Sequence, residues 1–143
     1  MAQTTERLPN GLLLHQDDRY FKLGQDSVLL SSFARPRRNA RVLDLCCGTG
    51  ALALLLYRPD LRMTGLELQE GALALFRRSI RDNGVDITAL QGDLREIRTL
   101  LPHGSMDYVV CNPPYFDRNA GKNAPAPERR AARQDGTCTV EDL

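Results

Sequence analysis

The sequence predicts an α/β domain, a doubly wound and mostly parallel sheet with helices on its faces. Three observations predict it. Strand-like apolar runs alternate with helical stretches from Arg41 to Cys111, the pattern of a parallel sheet whose crossovers are helices. The first of these strands runs straight into Gly48-Thr49-Gly50, a turn that opens a helix. The last ends on Asn112-Pro113-Pro114-Tyr115, where two prolines forbid both helix and further ladder.

Each element follows from local signals. Residues Met1 to Pro9 read as a loose tail. Asn10-Gly11 is a turn signal ahead of a short strand, Leu12 to Gln16, and Asp17-Asp18 turns the chain so that Tyr20 to Leu23 is expected to return as its hairpin partner. Asp26 is placed to cap a helix from Ser27 to Ala34, with Val28, Leu29, Ser32 and Phe33 on one face. Arg41 to Cys47 is the first long strand, Ala51 to Tyr57 a helix ended by Pro59-Asp60, and Arg62 to Leu68 the next strand. From Gly71 to Asn83, Ala72, Leu75, Phe76, Ser79 and Ile80 recur at i, i+3, i+4, and Gly84 closes the helix as a left-handed cap. A third strand runs from Asp86 to Gln91 and ends at Gly92-Asp93. A short helix from Leu94 to Leu101, stopped by Pro102, leads to the run Met106 to Cys111, which reads as a buried strand. Three units result: an extension over 1–40 holding the hairpin and helix, a cofactor-binding core over 41–115, and a loop with the start of a helix over 116–143. Thr139 with Asp142 fits the looser acidic form of the capping box at that last helix.

Composition narrows the class. A length of 143 residues with 42% apolar content supports one folded domain and argues against disorder. No apolar run approaches the roughly 18 to 20 residues of a membrane span, and the amino terminus lacks a secretory pattern. The expectation is a soluble, cytoplasmic protein with no membrane partner. A net charge of +1 implies no polyanion partner by global charge alone. Local basic clusters stand at Arg35, Arg37, Arg38 and Arg41, at Arg77, Arg78 and Arg81, and between Arg118 and Arg133; each alone reads as a solvated face. The four cysteines form no C-x-x-C pair and lie far in sequence from His15 and His103, so no metal site is expected. Cys46, Cys47 and Cys111 read as small buried hydrophobes in a reducing compartment.

Two motifs carry chemistry. In Asn112-Pro113-Pro114-Tyr115 a carboxamide sits on a stiff turn at a strand's carboxyl end, where open α/β sheets bind ligands. The Asn112 oxygen and the Pro113 carbonyl can only accept hydrogen bonds. Such a pair suits a planar amine with two N–H donors, with Tyr115 stacked behind the ring. The second motif is Asp44-x-x-x-Gly48-Thr49-Gly50, whose glycines let backbone approach a ligand without side-chain clash. Gly48, Gly50 and Ala53 also fit the permissive dinucleotide fingerprint, and Glu67, closing the next strand, is placed to accept from ribose hydroxyls. These features leave a nicotinamide dinucleotide and S-adenosylmethionine both open. Asp44 favours the second, because a carboxylate ahead of the glycine turn repels a pyrophosphate and attracts the ammonium of a methionyl group, directly or through water. Asp93, at the end of the third strand, is placed to accept from an adenine amine.

Asp44 to Gly50, Glu67, Asp93 and Asn112 to Tyr115 resemble the class I S-adenosylmethionine-dependent methyltransferases of the Asn-Pro-Pro-Tyr type, which modify exocyclic or amide nitrogens. Phe21 to Leu30, Leu66-Glu67-Leu68-Gln69 and Cys138 to Leu143 narrow the resemblance to the tRNA(Val) adenine-N6 methyltransferases. The resemblance implies a Rossmann-like fold and S-adenosylmethionine as cofactor. It implies that Asp44, Gly48 and Gly50 hold the methionyl part, Glu67 the ribose and Asp93 the adenine, with Asp26 near the cofactor. It implies a catalytic pocket of Asn112, Pro113 and Tyr115, direct in-line methyl transfer to an adenine amine of a tRNA, and no metal. Alternatives are a protein glutamine N-methyltransferase, whose amide fits the same pocket, and a non-catalytic nucleotide-binding module. The family's sheet continues beyond the strands legible here, so the chain looks truncated after the fourth core strand, and weak or absent transfer by this chain alone is expected.

Overall fold

The computed structural model describes residues 2–20 and 22–113. The chain opens with β1 (Gln3–Arg7) and β2 (Leu13–Asp17), an antiparallel hairpin with Thr5 opposite His15. The strand partner of β2 is therefore the stretch expected to be a loose tail, not the stretch beyond Asp18. The five residues of β1 are all exposed, so no apolar alternation marked them in the sequence. Gln16 explains why the downstream segment does not pair: its side-chain oxygen accepts from the Leu23 N–H at 2.6 Å, and its amide donates to Glu6 at 3.0 Å.

Helix α1 (Gln25–Phe33) starts after Gly24, and no side-chain cap bond from Asp26 is made. Its burial also differs from the expected face. Val28, Leu29 and Phe33 are exposed, Phe33 at 79%, whereas Ser27 is buried and Leu30 packs against the core. The spacing fixed one stripe of the helix but not which stripe the rest of the fold covers.

β3 (Arg41–Leu45), α2 (Ala51–Leu56), β4 (Arg62–Glu67), α3 (Glu70–Asn83) and β5 (Ile87–Gln91) then alternate as predicted. Gly84 caps α3 in the left-handed region at φ 62°. A 3-10 turn (Leu94–Glu96) leads into α4 (Ile97–Leu100) and then β6 (Tyr108–Cys111). The four long strands form one parallel sheet in the order β5-β4-β3-β6. At the start of β6, Arg41 and Asp107 form a two-pronged ion pair that holds the Asp107 carboxyl down at about 2.

The strand alternation builds two cores. Val42, Met63, Ile87 and Val110 pack with α1, α2 and α3 on one face, while Leu43, Leu45 and Leu66 pack with Leu94 and Leu100 on the other. In β6 only Val110 is fully buried and Val109 is 52% exposed, so the run read as a buried strand is in fact half covered. Among the described residues β6 pairs on one side only, with β3. The hairpin docks on α3: the His15 N–H donates to the buried Ser79 hydroxyl at 2.9 Å, and Asn83 bonds both the N–H and the carbonyl of Leu13.

Candidate functional site

Strand order explains where a crevice can form. The connection from β3 crosses to β4 on one side, whereas β6 lies on the other side of β3. Ligands of open α/β sheets bind at such a switch point, outside the carboxyl ends of the strands. Strand parity then selects the side chains. Asp44 lies opposite Gly65 in β4 and Val110 in β6. Glu67 lies two residues beyond Gly65, and Asn112 two beyond Val110. With a period of two, Asp44, Glu67 and Asn112 all belong to the face that carries α1, α2 and α3.

The glycine loop is tied to this rim by hydrogen bonds. The Cys47 N–H donates to the Leu66 carbonyl at 3.0 Å, and the Gly50 N–H to the Cys47 carbonyl at 2.8 Å. The two oxygens of Glu67 accept from the Gly48 and Gln69 N–H groups, each at 2.8 Å. Burial pushes the Glu67 carboxyl up, against the pull of those N–H donors. Asp44 is 1% exposed and accepts from the Ala53 N–H in the first turn of α2 at 3.1 Å. Burial, with Cys111 and Glu67 adding to it, raises its carboxyl well above the usual range. Among the described residues no cation pairs with this carboxyl, so burial holds it away from ionisation, and a cation arriving at the loop would favour its charged form.

The two glycines serve different ends. Gly48 has φ 56° and nothing within 4 Å of the position a Cβ would take, so open space faces it. Gly50, at φ 91°, would drive a Cβ into the ring of Phe76. Gly65 in the middle of β4 abuts the same ring and the Cys47 thiol. Phe76, itself fully buried, is thus a wedge that sets the height of the glycine loop above the sheet. The sequence placed Phe76 on the buried stripe of α3 but not against the loop; a glycine in mid-strand was the signal of that close approach.

Asp93 ends β5's connection and is paired with Arg95, whose guanidinium and N–H both bond it and hold its carboxyl below the usual value. Asp26 is exposed in the first turn of α1. Its neighbour Ser27 is buried, and the Asn112 side-chain N–H donates to the Ser27 hydroxyl at 3.3 Å. That bond brings the first turn of α1 to the carboxyl end of β6. Pro113 follows Asn112, partly buried, and Tyr115 lies outside the described residues, as do the 116–143 unit and the basic residues from Arg118 to Arg133. Cys47 is buried, while Cys46 and Cys111 are only partly so, and a hydrogen bond from Cys46 holds the Cys111 thiol below its usual value. A separate concavity lined by Arg62, Met63, Thr64, Asp86 and Thr88 lies at the amino-terminal ends of β4 and β5, away from this rim.

The chain is similar to several known proteins. The methyltransferase small domain family matches residues 23–128. A ribosomal protein uL3 glutamine methyltransferase of Bradyrhizobium diazoefficiens is 35% identical over 114 residues, covering 76% of this chain and 34% of the relative. A tRNA1(Val) (adenine(37)-N6)-methyltransferase of Tolumonas auensis is 31% identical over 132 residues, covering 86% of this chain and 52% of the relative. Among solved structures, the Thermus thermophilus 16S rRNA N2 G1207 methyltransferase in complex with AdoMet and guanosine superposes with a TM-score of 0.67 at 27% identity, over 80% of this chain and 33% of that one. The chain spans about a third of the first of these relatives and about half of the second.

Proposed function

The chain belongs to the methyltransferase small domain family, and from that premise we propose that it transfers a methyl group from S-adenosylmethionine to the exocyclic N6 amine of an adenine in a tRNA. The observation that carries this reading is the placement of Asp44, Glu67 and Asn112 on one face of the sheet, at the carboxyl rim and across the switch point. The described residues fit the cofactor. Asp44 offers a buried carboxyl that gains its charge when an ammonium arrives, Gly48 leaves open space, and the Glu67 oxygens keep lone pairs for ribose hydroxyls beyond the two N–H bonds they already accept. Asp93 is assigned to the adenine and Asp26 to the neighbourhood of the cofactor. When bound, S-adenosylmethionine would supply a methyl on a positively charged sulphur; the carbon–sulphur bond would break as the carbon–nitrogen bond forms, leaving a neutral thioether, and the amine's surplus proton would pass to water.

The chain's own residues prepare the amine. The lone pair of an adenine amine is delocalised into the ring, which makes the nitrogen a poor nucleophile. The Asn112 side-chain oxygen and the Pro113 carbonyl, each accepting one amine hydrogen, favour a pyramidal nitrogen whose lone pair is localised. Tyr115 stacks on the base, a contact worth about 1–3 kcal/mol. Bases in RNA loops are the easiest to splay out for such a pocket. Positioning and electrostatics then supply most of the rate.

A second reading has its own support in the 35% identity with the uL3 glutamine methyltransferase: a glutamine side-chain amide presents the same two N–H donors. Incubating the protein with methyl-labelled S-adenosylmethionine and either bulk tRNA or ribosomal protein decides between them. Label recovered as N6-methyladenosine after nuclease digestion, in low yield for this chain alone, is the expected result; label recovered only in methylglutamine overturns the RNA assignment.

A further inference from the structure

A side-chain carboxamide has two nearly identical orientations, and only one of them aims its oxygen at an incoming amine. The Asn112 role therefore needs something to hold the amide. At the end of a strand paired on one side among the described residues, backbone alone does not fix a side chain. The holding group visible in the fold is Ser27. Its hydroxyl accepts from the Asn112 nitrogen at 3.3 Å, across 85 positions of sequence, and Ser27 is the one residue of α1 that is buried. It sits there while the apolar residues beside it, Val28 and Leu29, are exposed. Burial of a polar residue in place of its apolar neighbours is the reverse of ordinary helix packing and marks a polar task.

We propose that Ser27 is a positioning residue for Asn112. When an amine donates to the Asn112 oxygen, the other end of the amide must find an acceptor, and the Ser27 hydroxyl supplies it. The α1 helix thereby becomes part of the acceptor pocket, with its first turn, Asp26 included, fixed to the end of β6. This inference rests on the reading of Asn112 as the amine acceptor. As a positioning residue acting through Asn112, Ser27 is expected to act on the rate and not on cofactor affinity.

The test uses Ser27→Ala, Ser27→Thr and Asn112→Ala in the full chain, with two readouts. The first is proton exchange at the Asn112 side-chain amide, followed by nitrogen-15 NMR and assigned by its disappearance in Asn112→Ala. The second is single-turnover methyl transfer with protein in excess. The expected result is faster amide exchange in Ser27→Ala, a transfer rate about tenfold lower, equivalent to about 1.4 kcal/mol of barrier, an unchanged cofactor dissociation constant, and recovery of both readouts in Ser27→Thr. Unchanged exchange in Ser27→Ala overturns the proposal whatever the rates show. Faster exchange with an unchanged rate, alongside an Asn112→Ala variant that has lost transfer, also overturns it while leaving the Asn112 reading intact. Transfer that survives in Asn112→Ala removes that reading, and the role of Ser27 with it.

Discussion

The two sides of the crevice are built differently. On the β3–β4 side, the glycine loop, Glu67, Asp44 and the first turn of α2 are joined by several hydrogen bonds to backbone, all spanning at most 19 positions of sequence. On the β6 side, Asn112 meets α1 through one side-chain bond that spans 85. The first side is largely assembled from neighbouring strand ends. The second depends on two distant segments arriving together. Under the proposed function the difference makes cofactor binding and activation of the amine separable, and substitutions should divide them.

The largest expected effect breaks only the β6 side. Asn112→Ala should lower methyl transfer by about 10²–10³-fold, as for removal of one preorganised polar contact to the reacting group, with S-adenosylmethionine affinity unchanged in calorimetry. Next is the wedge on the other side. Gly50→Ala places a methyl against Phe76 at a positive φ and should cost on the order of 3 kcal/mol of stability, read as a lower denaturation midpoint. Asp44→Asn keeps an acceptor for the Ala53 N–H but removes the carboxylate. It should weaken S-adenosylmethionine binding by roughly 10–100-fold, in line with loss of a charge-assisted contact.

The Asp44 substitution also has a pH signature. Burial raises the Asp44 carboxyl in the free protein, and a bound ammonium lowers it again. Wild-type affinity should therefore rise with pH between those two values and level off above the free-protein value, whereas Asp44→Asn should show a flatter profile. For stability the sign is opposite. A carboxyl raised by folding stabilises the fold fully below its ordinary unfolded value and loses that contribution as pH rises to its folded value, so wild-type stability should fall with pH across that window while that of Asp44→Asn stays flat. The smallest effect lies outside the crevice. Ser79→Ala leaves the His15 N–H without its acceptor and should cost about 1–3 kcal/mol of stability, with cofactor affinity unchanged in calorimetry.

Legibility in the sequence followed the same division. The β3–β4 side was readable because its signals are local: a strand, a glycine turn, an acidic residue at the next strand's end. Alternation of strand and helix gave the parallel sheet, and Gly84 gave the end of α3. Contacts between segments far apart were not readable. Nothing in Gln3–Arg7 announces a strand, since its residues are exposed and take their order from β2. The face of α1 was assigned to Val28, Leu29 and Phe33 by apolar spacing, whereas the fold buries Ser27. The Phe76 wedge showed only as a glycine in mid-strand, and the Asn112–Ser27 bond joins elements whose packing no local pattern encodes.

The division between the two sides is tested most directly by calorimetric titration of S-adenosylmethionine into wild type, Asn112→Ala and Asp44→Asn at one neutral pH. Equal affinity for wild type and Asn112→Ala, with Asp44→Asn weaker by at least about tenfold, is the predicted result. Absence of binding to the wild type, or equal weakening in both variants, would contradict it.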